Sequence, residues 1–139
     1  MISGSEVFGA WRLVSAKVKI EDTGEEIEVH GENPRGFAIF EPSGRMMAII
    51  TASGRSVPKT DTEAAALFKG MTAYTGRIRV EGNTIVTAVD AAWHPDWEKT
   101  EQMRFVDLSG DTLTLSTPVR DHPSLPRPHR GVFTWTRER

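Results

Sequence analysis

The feature that most limits what this chain can fold into is the alternation of apolar and polar residues at every second position. Short runs rich in β-branched and aromatic residues carry the pattern at 11–20, 36–41, 46–51, 74–81, 84–90, 101–108, 112–117 and 131–137. A period of two places successive side chains on opposite faces of an extended strand. The chain is therefore predicted to be all-β with about eight main strands. Segment 25–29 predicts a short additional strand.

The links between these runs predict how the strands pair. Segments 41–45, 80–84 and 108–112 each place Gly beside Asn, Asp or Ser. Glycine supplies a positive φ, and the polar side chains bond to nearby backbone, as a tight hairpin requires. Consecutive strands are therefore expected to be antiparallel neighbours. Strands of this number and kind admit either a sandwich or a closed barrel.

Two segments break the period of two. Residues 60–73 have apolar positions at helical spacing and open on Thr60 and Glu63, a capping-box pattern. They predict one short helix near 61–72, which in a barrel would cover an open end. Residues 118–131 hold four of the eight prolines. Because proline cannot donate a hydrogen bond to a sheet, this segment is predicted to be a long exposed connection.

Size and charge exclude several classes of protein. A length of 139 residues fits one domain, covering 1–139. With 17 Lys and Arg against 19 Asp and Glu, the chain has no positive excess, so nucleic acid is not an expected partner. The absence of cysteine excludes disulfides and thiolate metal sites.

Hydropathy along the chain bears on its location. No run approaches the roughly 18 apolar residues of a membrane-spanning helix, so no membrane association is expected. The opening residues lack a basic region followed by an apolar run. A cytoplasmic location is therefore expected.

The last predicted strand indicates how a barrel would close. Phe133, Trp135 and Arg137 share one of its faces. An arginine at the end of an inward aromatic row needs a partner that tolerates its charge, and the flat face of an indole is suitable. Trp11, at the start of the first strand, is the candidate, because closure brings the first and last strands together. Trp11 and Arg137 are thus predicted to form a structural pair.

Several motifs occur in an order that suggests a family. FGAWRL at 8–13 resembles a Gly-x-Trp opening, and TWTR at 134–137 resembles an arginine on a closing strand. Between them lie NPRGFAIFEPSGRMMAII (33–50), YTGRIRVEGNTIV (74–86) and HPDWEKTEQMRF (94–105). In this order they resemble the bacterial and fungal lipocalin-like domain family, a group of calycin-type barrels.

The resemblance extends over about residues 6–137 and carries expectations about fold and function. It implies an up-and-down antiparallel β-barrel of about eight strands, with a cup-shaped interior that takes a small apolar or amphiphilic ligand. Many members carry a histidine in the strand before the Pro-x-Trp hairpin. This chain has Thr87 and Ala88 there, so an acid/base role of that histidine is not carried over.

The candidate ligand contacts follow from which side chains a lumen would present. Gln102 and Arg104 share one face of their strand, and Met103 and Phe105 share the other; the sequence does not decide which face is inward. An inward Arg104 would bind a ligand carboxylate or enolate. The hydroxyl of Tyr74 is a further candidate contact. The predicted lumen is lined by Phe37, Ile39, Met46, Ile50, Tyr74, Ile78, Leu113, Leu115 and Phe133.

Further candidates lie near the Pro-x-Trp hairpin. Trp93 and Trp97 could form an aromatic rim to the cup. Asp90 ends its strand, where it is either a carboxylate of raised pKa at the mouth or a solvated side chain. His94 could act as a general base oriented by Asp96, although residues two apart in a turn rarely meet in that way.

Neither a metal nor a cofactor is predicted. The four histidines are far apart in sequence, and His122 and His129 both lie in the proline-rich connection. Phosphate-binding glycine loops and serine nucleophile motifs are absent from the sequence.

Three functional hypotheses remain at this point. The leading one is a protein that binds a small hydrophobic molecule in its lumen. The second is an isomerase, cyclase or hydrolyase of a small metabolite on the same barrel, using Tyr74, Asp90, Arg104 or His94. The third is a barrel filled by its own side chains that acts through its surface, with a homodimer built on an exposed strand face as an open alternative.

Overall fold

A computed structural model of the chain describes residues 2–28, 30–122 and 125–139. One helix, α1 (Asp61–Lys69), and two single 3₁₀ turns (Gly4–Val7 and Pro95–Trp97) accompany the strands. The strands are β1 (Gly9–Ile20), β2 (Glu26–Ile27), β3 (Arg35–Phe40), β4 (Arg45–Thr51), β5 (Thr72–Glu81), β6 (Thr84–Ala92), β7 (Glu101–Ser109), β8 (Thr112–Ser116), β9 (Arg120–His122) and β10 (Leu125–Arg137).

The sheet closes into an eight-stranded antiparallel barrel. Its strands follow the order β1-β3-β4-β5-β6-β7-β8-β10, and β10 returns to pair with β1. The short strands β2 and β9 are added beside β1 and β10. The predicted fold is confirmed, and β2 occupies part of the extra strand predicted at 25–29, of which residue 29 lies outside the described residues.

Three hairpins turn where the sequence predicts them. Gly44, Gly82 and Gly110 have φ of 92°, 62° and 59°, a region that a residue with a Cβ rarely adopts. Each of these glycines links consecutive strands, so the chain winds up and down around the barrel without a crossover.

The closed end of the barrel is filled by side chains. Trp11 and Leu113 are fully inaccessible to solvent, and Phe40 is 2% exposed. The guanidinium carbon of Arg137 lies 4.2 Å from the centre of the Trp11 ring, and its Nη1 and Nη2 donate to the carbonyls of Phe8 and Glu6 at 2.9 and 3.0 Å. The predicted pairing of Trp11 with Arg137 is therefore present and ties the N-terminal turn to the last strand.

Helix α1 begins at the predicted cap. The Oγ1 of Thr60 accepts the backbone N–H of Glu63 at 3.1 Å, while the Glu63 carboxylate accepts the N–H of Lys59 at 2.9 Å. The helix ends at Lys69, before the predicted limit, because Gly70 ends its last turn. None of its residues is buried, and none lines the lumenal cavity. The expectation that it covers the open end is therefore not met.

The prediction of an exposed connection over 118–131 is wrong for most of the segment, because β9 and the start of β10 pair with each other there. Strand β10 begins at Leu125, and its register shifts between Leu125 and His129. Pro128 lies within that irregularity and offers only its carbonyl, which accepts the N–H of Glu21 at 2.8 Å. A proline is tolerated there because no ladder bond needs its nitrogen. Residues 123 and 124 of the predicted connection lie outside the described residues.

Candidate functional site

The lumen contains a cavity at the end of the barrel away from Trp11. It measures about 150 Å³ and has a mostly apolar wall. The wall consists of Val18, His30, Ile50, Thr72, Tyr74, Trp97, Arg104, Leu115, His129, Gly131, Phe133 and Trp135. No Asp or Glu is among these residues. The barrel is thus filled at one end and hollow at the other.

Several predicted lumenal residues occupy that interior. Tyr74, Ile50, Leu115 and Phe133 line the cavity. Met46, Leu113 and Ile78 are inside too, but they belong to or pack against the core cluster that fills the closed end.

Phe37 and Ile39 were predicted for the lumen and lie outside it. Their side chains are 44% and 48% exposed, and the neighbours that alternate with them, Ala38 and Phe40, are buried. The sequence NPRGFAIF offers apolar residues on both faces of β3, with one phenylalanine on each face, and the face of Phe40 is the inner one. Sequence periodicity alone cannot decide between two apolar faces.

The inward face of β7 is the one that carries Arg104. Arg104 pairs across the ladder with Ile85 of the core and is 8% exposed, whereas Phe105 is 41% exposed on the outer face. The only hydrogen bond of the Arg104 guanidinium within the described residues runs from Nη1 to the carbonyl of Met103, at 2.9 Å. Outside residues 120–126, no acidic side chain of the described residues lies within ion-pair distance of it.

Gln102 faces the same way as Arg104 but contacts another part of the barrel. It lies opposite the buried Thr87 on β6, and its Nε2 donates to the hydroxyl of Thr100 at 3.0 Å. Gln102 does not line the cavity. Of the two polar residues predicted on this face, the structure brings only Arg104 to the lumenal cavity.

Two histidines that the sequence did not suggest also line the cavity. His129 is 5% exposed, and its Nδ1 lies 2.8 Å from the carbonyl of Arg127, which can only accept; Nδ1 is therefore protonated. His30 is 9% exposed, and its Nδ1 has no hydrogen-bond partner among the described residues. Burial lowers the pKa of His30 from its ordinary value.

A third buried polar group faces the same cavity. Trp135 is 3% exposed, and its Nε1 has no hydrogen-bond partner among the described residues. An unpaired buried N–H costs about 1 to 3 kcal/mol. In contrast, the indole of Trp11 at the closed end is satisfied, because its Nε1 donates to the carbonyl of Val7 at 2.9 Å. Of the three buried side-chain nitrogens without a partner among the described residues, those of His30 and Trp135 face this cavity, and the third, Nε of Arg130, does not.

The predicted aromatic rim is a cluster that leads from the cavity to the outer surface. The ring of Trp97, which lines the cavity, lies 5.1 Å from that of Tyr74 and 5.2 Å from that of Trp93. Trp93 in turn lies 6.3 Å from Phe68 of α1 and donates its Nε1–H to the Phe68 carbonyl at 3.0 Å. Trp97 is therefore placed at the cavity, and Trp93 faces outward beside the helix.

Asp90 and His94 lie away from the lumenal cavity. The carboxylate of Asp90 accepts two hydrogen bonds from the Arg45 guanidinium, at 3.1 and 2.9 Å. These bonds hold the pKa of Asp90 below its usual range, so the hypothesis of a raised pKa is wrong. The Nδ1 of His94 accepts the backbone N–H of Asp96 at 3.1 Å, which caps the 3₁₀ turn. That nitrogen is therefore occupied.

A second hollow lies on the outside of the barrel. It is a groove of about 480 Å³ across the outer faces of β3, β4, β5 and β6. Phe37, Ile39, Met47 and Ile49 form its floor, and Trp93 lies at its end. We call these four floor residues the outer apolar face. Phe37 is opposite Ile49 and Ile39 is opposite Met47 in the ladder, so the four side chains are contiguous.

The sequence contained a signal for one of the missed residues. His129 lies in the same alternating row as Gly131, Phe133, Trp135 and Arg137, so extending the period of two backward by one step from Gly131 would have found it. His30 follows β2 and is brought to the cavity by the connection between β2 and β3, and no period predicts it.

Neither a cluster of metal ligands nor a membrane-spanning helix occurs in the part of the chain that the structure describes. Within residues 2–28, 30–122 and 125–139, no three His, Asp or Glu side chains converge as metal ligands. The helix in this part of the chain is neither long nor apolar enough to cross a membrane.

Comparison with known proteins agrees with the fold. A family model described as a lipocalin-like domain matches residues 8–138, nearly the whole chain. A search of curated proteins found no match. The matched range begins just before the Gly-x-Trp opening and ends just after the arginine that covers Trp11. The chain belongs to the lipocalin-like domain family.

Proposed function

We propose that the protein binds a small amphiphilic molecule, about one ring in size, in the lumenal cavity. The observation that carries the proposal is a hollow of about 150 Å³ that is enclosed by apolar side chains and reached by a few buried polar groups. A binding site of this kind is apolar with a small number of placed polar contacts. A cavity of this size has room for roughly a benzene ring.

Two of the four candidate residues of the enzyme hypothesis lie away from the cavity. Asp90 is held by Arg45 on the outside of the barrel, and His94 caps a turn. Neither joins Tyr74 and Arg104 at the cavity wall. Tyr74 and Arg104 remain at the wall together with His30 and His129, and we interpret all four as ligand contacts. The filled-barrel hypothesis describes only the closed end.

A matched pair of substitutions on β1 tests the proposal. Val18 lines the cavity and Val14, on the same strand, is 55% exposed. Val18→Phe is expected to fill the lumen and abolish binding, while Val14→Phe leaves it unchanged. Binding is measured as a thermal shift with a panel of single-ring aromatic compounds, including nitrobenzene and benzoate, and as a co-purifying mass in native mass spectrometry.

Two results would contradict lumenal binding. In one, no compound shifts the melting temperature of the wild-type protein and no mass co-purifies. In the other, binding survives Val18→Phe but is lost in Met47→Glu, which would move the site to the outer groove.

The outer apolar face supports self-association as a second proposal. Its four residues are 44 to 55% exposed and contiguous. Monomeric proteins rarely leave a large contiguous apolar patch in contact with water. We propose that a second copy covers this face in a homodimer. A cytoplasmic location and the lack of a nucleic-acid partner stay predictions of the sequence.

A further inference from the structure

We infer that the lumenal ligand carries an anionic head group, a carboxylate or an equivalent oxyanion, that binds to Arg104. The inference rests on the proposed binding function and specifies the chemical class of the ligand. It starts from three side chains that line one cavity, are at least nine-tenths buried and have donors without an adequate partner: Arg104, Trp135 and His30.

The first step concerns charge. The guanidinium of Arg104 stays protonated at any physiological pH. Buried charges in proteins are paired with an opposite charge or a set of hydrogen bonds. Arg104 has one hydrogen bond, to the adjacent carbonyl of Met103, and the cavity wall contains no carboxylate of its own. Outside residues 120–126, the described side chains supply no negative partner, so that role falls to the ligand.

The second step concerns the other donors. The Nε1–H of Trp135 can only donate, and it has no acceptor among the described residues. Burial lowers the pKa of His30, and an imidazole has at least one N–H donor in either protonation state. A carboxylate has two acceptor oxygens and no hydrogen to donate, and it would accept from Arg104 and from these neighbours together.

The third step concerns size. The cavity of about 150 Å³ leaves room for one ring beside the head group, and its remaining wall of Leu115, Phe133, Ile50 and Val18 is apolar. The structure therefore points to a monocyclic carboxylate as the ligand class. A long-chain fatty acid or a polycyclic compound is larger than this volume, so only part of it would fit inside the cavity.

Benzoate and nitrobenzene test the inference on the full-length protein. The two compounds have nearly the same shape, but only benzoate is charged. Isothermal titration calorimetry in a buffer without small carboxylates is expected to show that the wild-type protein binds benzoate roughly tenfold or more tightly than nitrobenzene. Such a ratio corresponds to the free energy of a hydrogen bond to a charged group.

Substitution of Arg104 separates charge from shape. Arg104→Met is expected to remove the preference for benzoate and to retain binding of nitrobenzene, while Arg104→Lys keeps part of the preference. Arg12→Met removes the same charge from an exposed position on β1 and is expected to change nothing. Circular dichroism of each variant confirms that it folds, and Arg104→Lys tests the inference even if Arg104→Met does not fold.

The outcomes distinguish this inference from the proposal on which it rests. Equal binding of both compounds to wild type, with the same ratio in Arg104→Met, would overturn the anionic head group and leave lumenal binding standing. Failure of both compounds to bind would count against lumenal binding of a single-ring molecule and against the inference with it. If Arg12→Met also lost the preference for benzoate, that preference would reflect the net charge of the protein and not the position of Arg104.

Discussion

At the scale of single residues, Arg104 differs from the arginines that pair with carboxylates on the outer surface. Arg45, Arg79 and Arg139 lie on the outside, where each contacts a carboxylate at 3.1 Å or less. Because solvent screens them, such surface pairs contribute little to stability. Arg104 is the opposite case, a buried guanidinium with no carboxylate beside it among the described residues. Burying this charge without a carboxylate lowers the stability of the fold. Side chains that are buried at such a cost are typical of binding sites.

His30 predicts how stability depends on pH. Its pKa in the folded protein is lowered by burial, so the unfolded chain binds its proton more tightly. Stability from this group is complete above the unfolded value, about 6.5, and is lost as the pH falls below it toward the lower folded pKa. The melting temperature is therefore expected to fall between pH 6.5 and 5. His30→Gln is expected to show a shallower decline, measured by circular dichroism.

The carboxylates with lowered pKa do not interfere with that measurement. The pKa values of Asp90, Glu101 and Asp111 are depressed by hydrogen bonds from their arginine partners, so their contribution is lost only below about pH 4. Parallel melting curves for wild type and His30→Gln from pH 7.5 to 5 would show that His30 is not the sensor.

At the scale of the element, the β5–β6 ladder shows how a strand is bent beside the mouth. The register shifts at Thr75 and Gly76, and the extra residue on β6 is Asp90. A β-bulge of this kind reorients the side chains beyond it. It separates the outward carboxylate of Asp90 from the buried Val89 before it. Gly76 permits the bulge because the β6 backbone passes very close to its Cα.

Gly76→Ala is expected to destabilise the barrel. An added Cβ would lie 2.1 Å from the carbonyl oxygen of Ala88, so one backbone must move. Overpacking of this kind costs about 1 to 3 kcal/mol. Gly4→Ala is the matched control, since its Cβ would make an ordinary contact at 3.7 Å with the side chain of Val80. Urea denaturation would measure both, and equal midpoints for the two variants would contradict the steric account.

At the scale of the whole molecule, two apolar regions serve different purposes. The buried side chains at the closed end, among them Trp11 and Leu113, fill the barrel there. The outer apolar face of Phe37, Ile39, Met47 and Ile49 stays in contact with water. Helix α1 lies beside this face, with Phe68 40% exposed, and does not cover it. A symmetric contact between two copies would bury both patches at once.

Met47→Glu is expected to weaken self-association. Met47 and Val14 are both 55% exposed, but only Met47 belongs to the outer apolar face, so Val14→Glu is the matched control. A carboxylate introduced at the centre of the interface would be buried without a partner, and the free energy of that burial opposes assembly. Sedimentation velocity over a dilution series would detect a dimer for wild type and Val14→Glu but a monomer for Met47→Glu. A wild-type monomer at every concentration would refute the dimer.

The sequence by itself determined the strands, the hairpins and the way the barrel closes. Each of these depends on neighbours in sequence: the period of two, a glycine at each positive φ, and the aromatic row that ends in Arg137. It did not decide which face of β7 points into the lumen. It failed at Phe37 and Ile39 because both faces of β3 are apolar, and at His129 because the prolines concealed a strand.

The tertiary structure decided what the cavity contains. Arg104, His30, Trp135 and Tyr74 come from four separate segments, and only closure of the barrel brings them to one hollow. Whether a side chain is left without a partner depends on every strand around it, so the unsatisfied donors that indicate an anionic ligand could not be inferred from local sequence. Periodicity fixes which way a residue can face, and packing across the barrel fixes what it meets there.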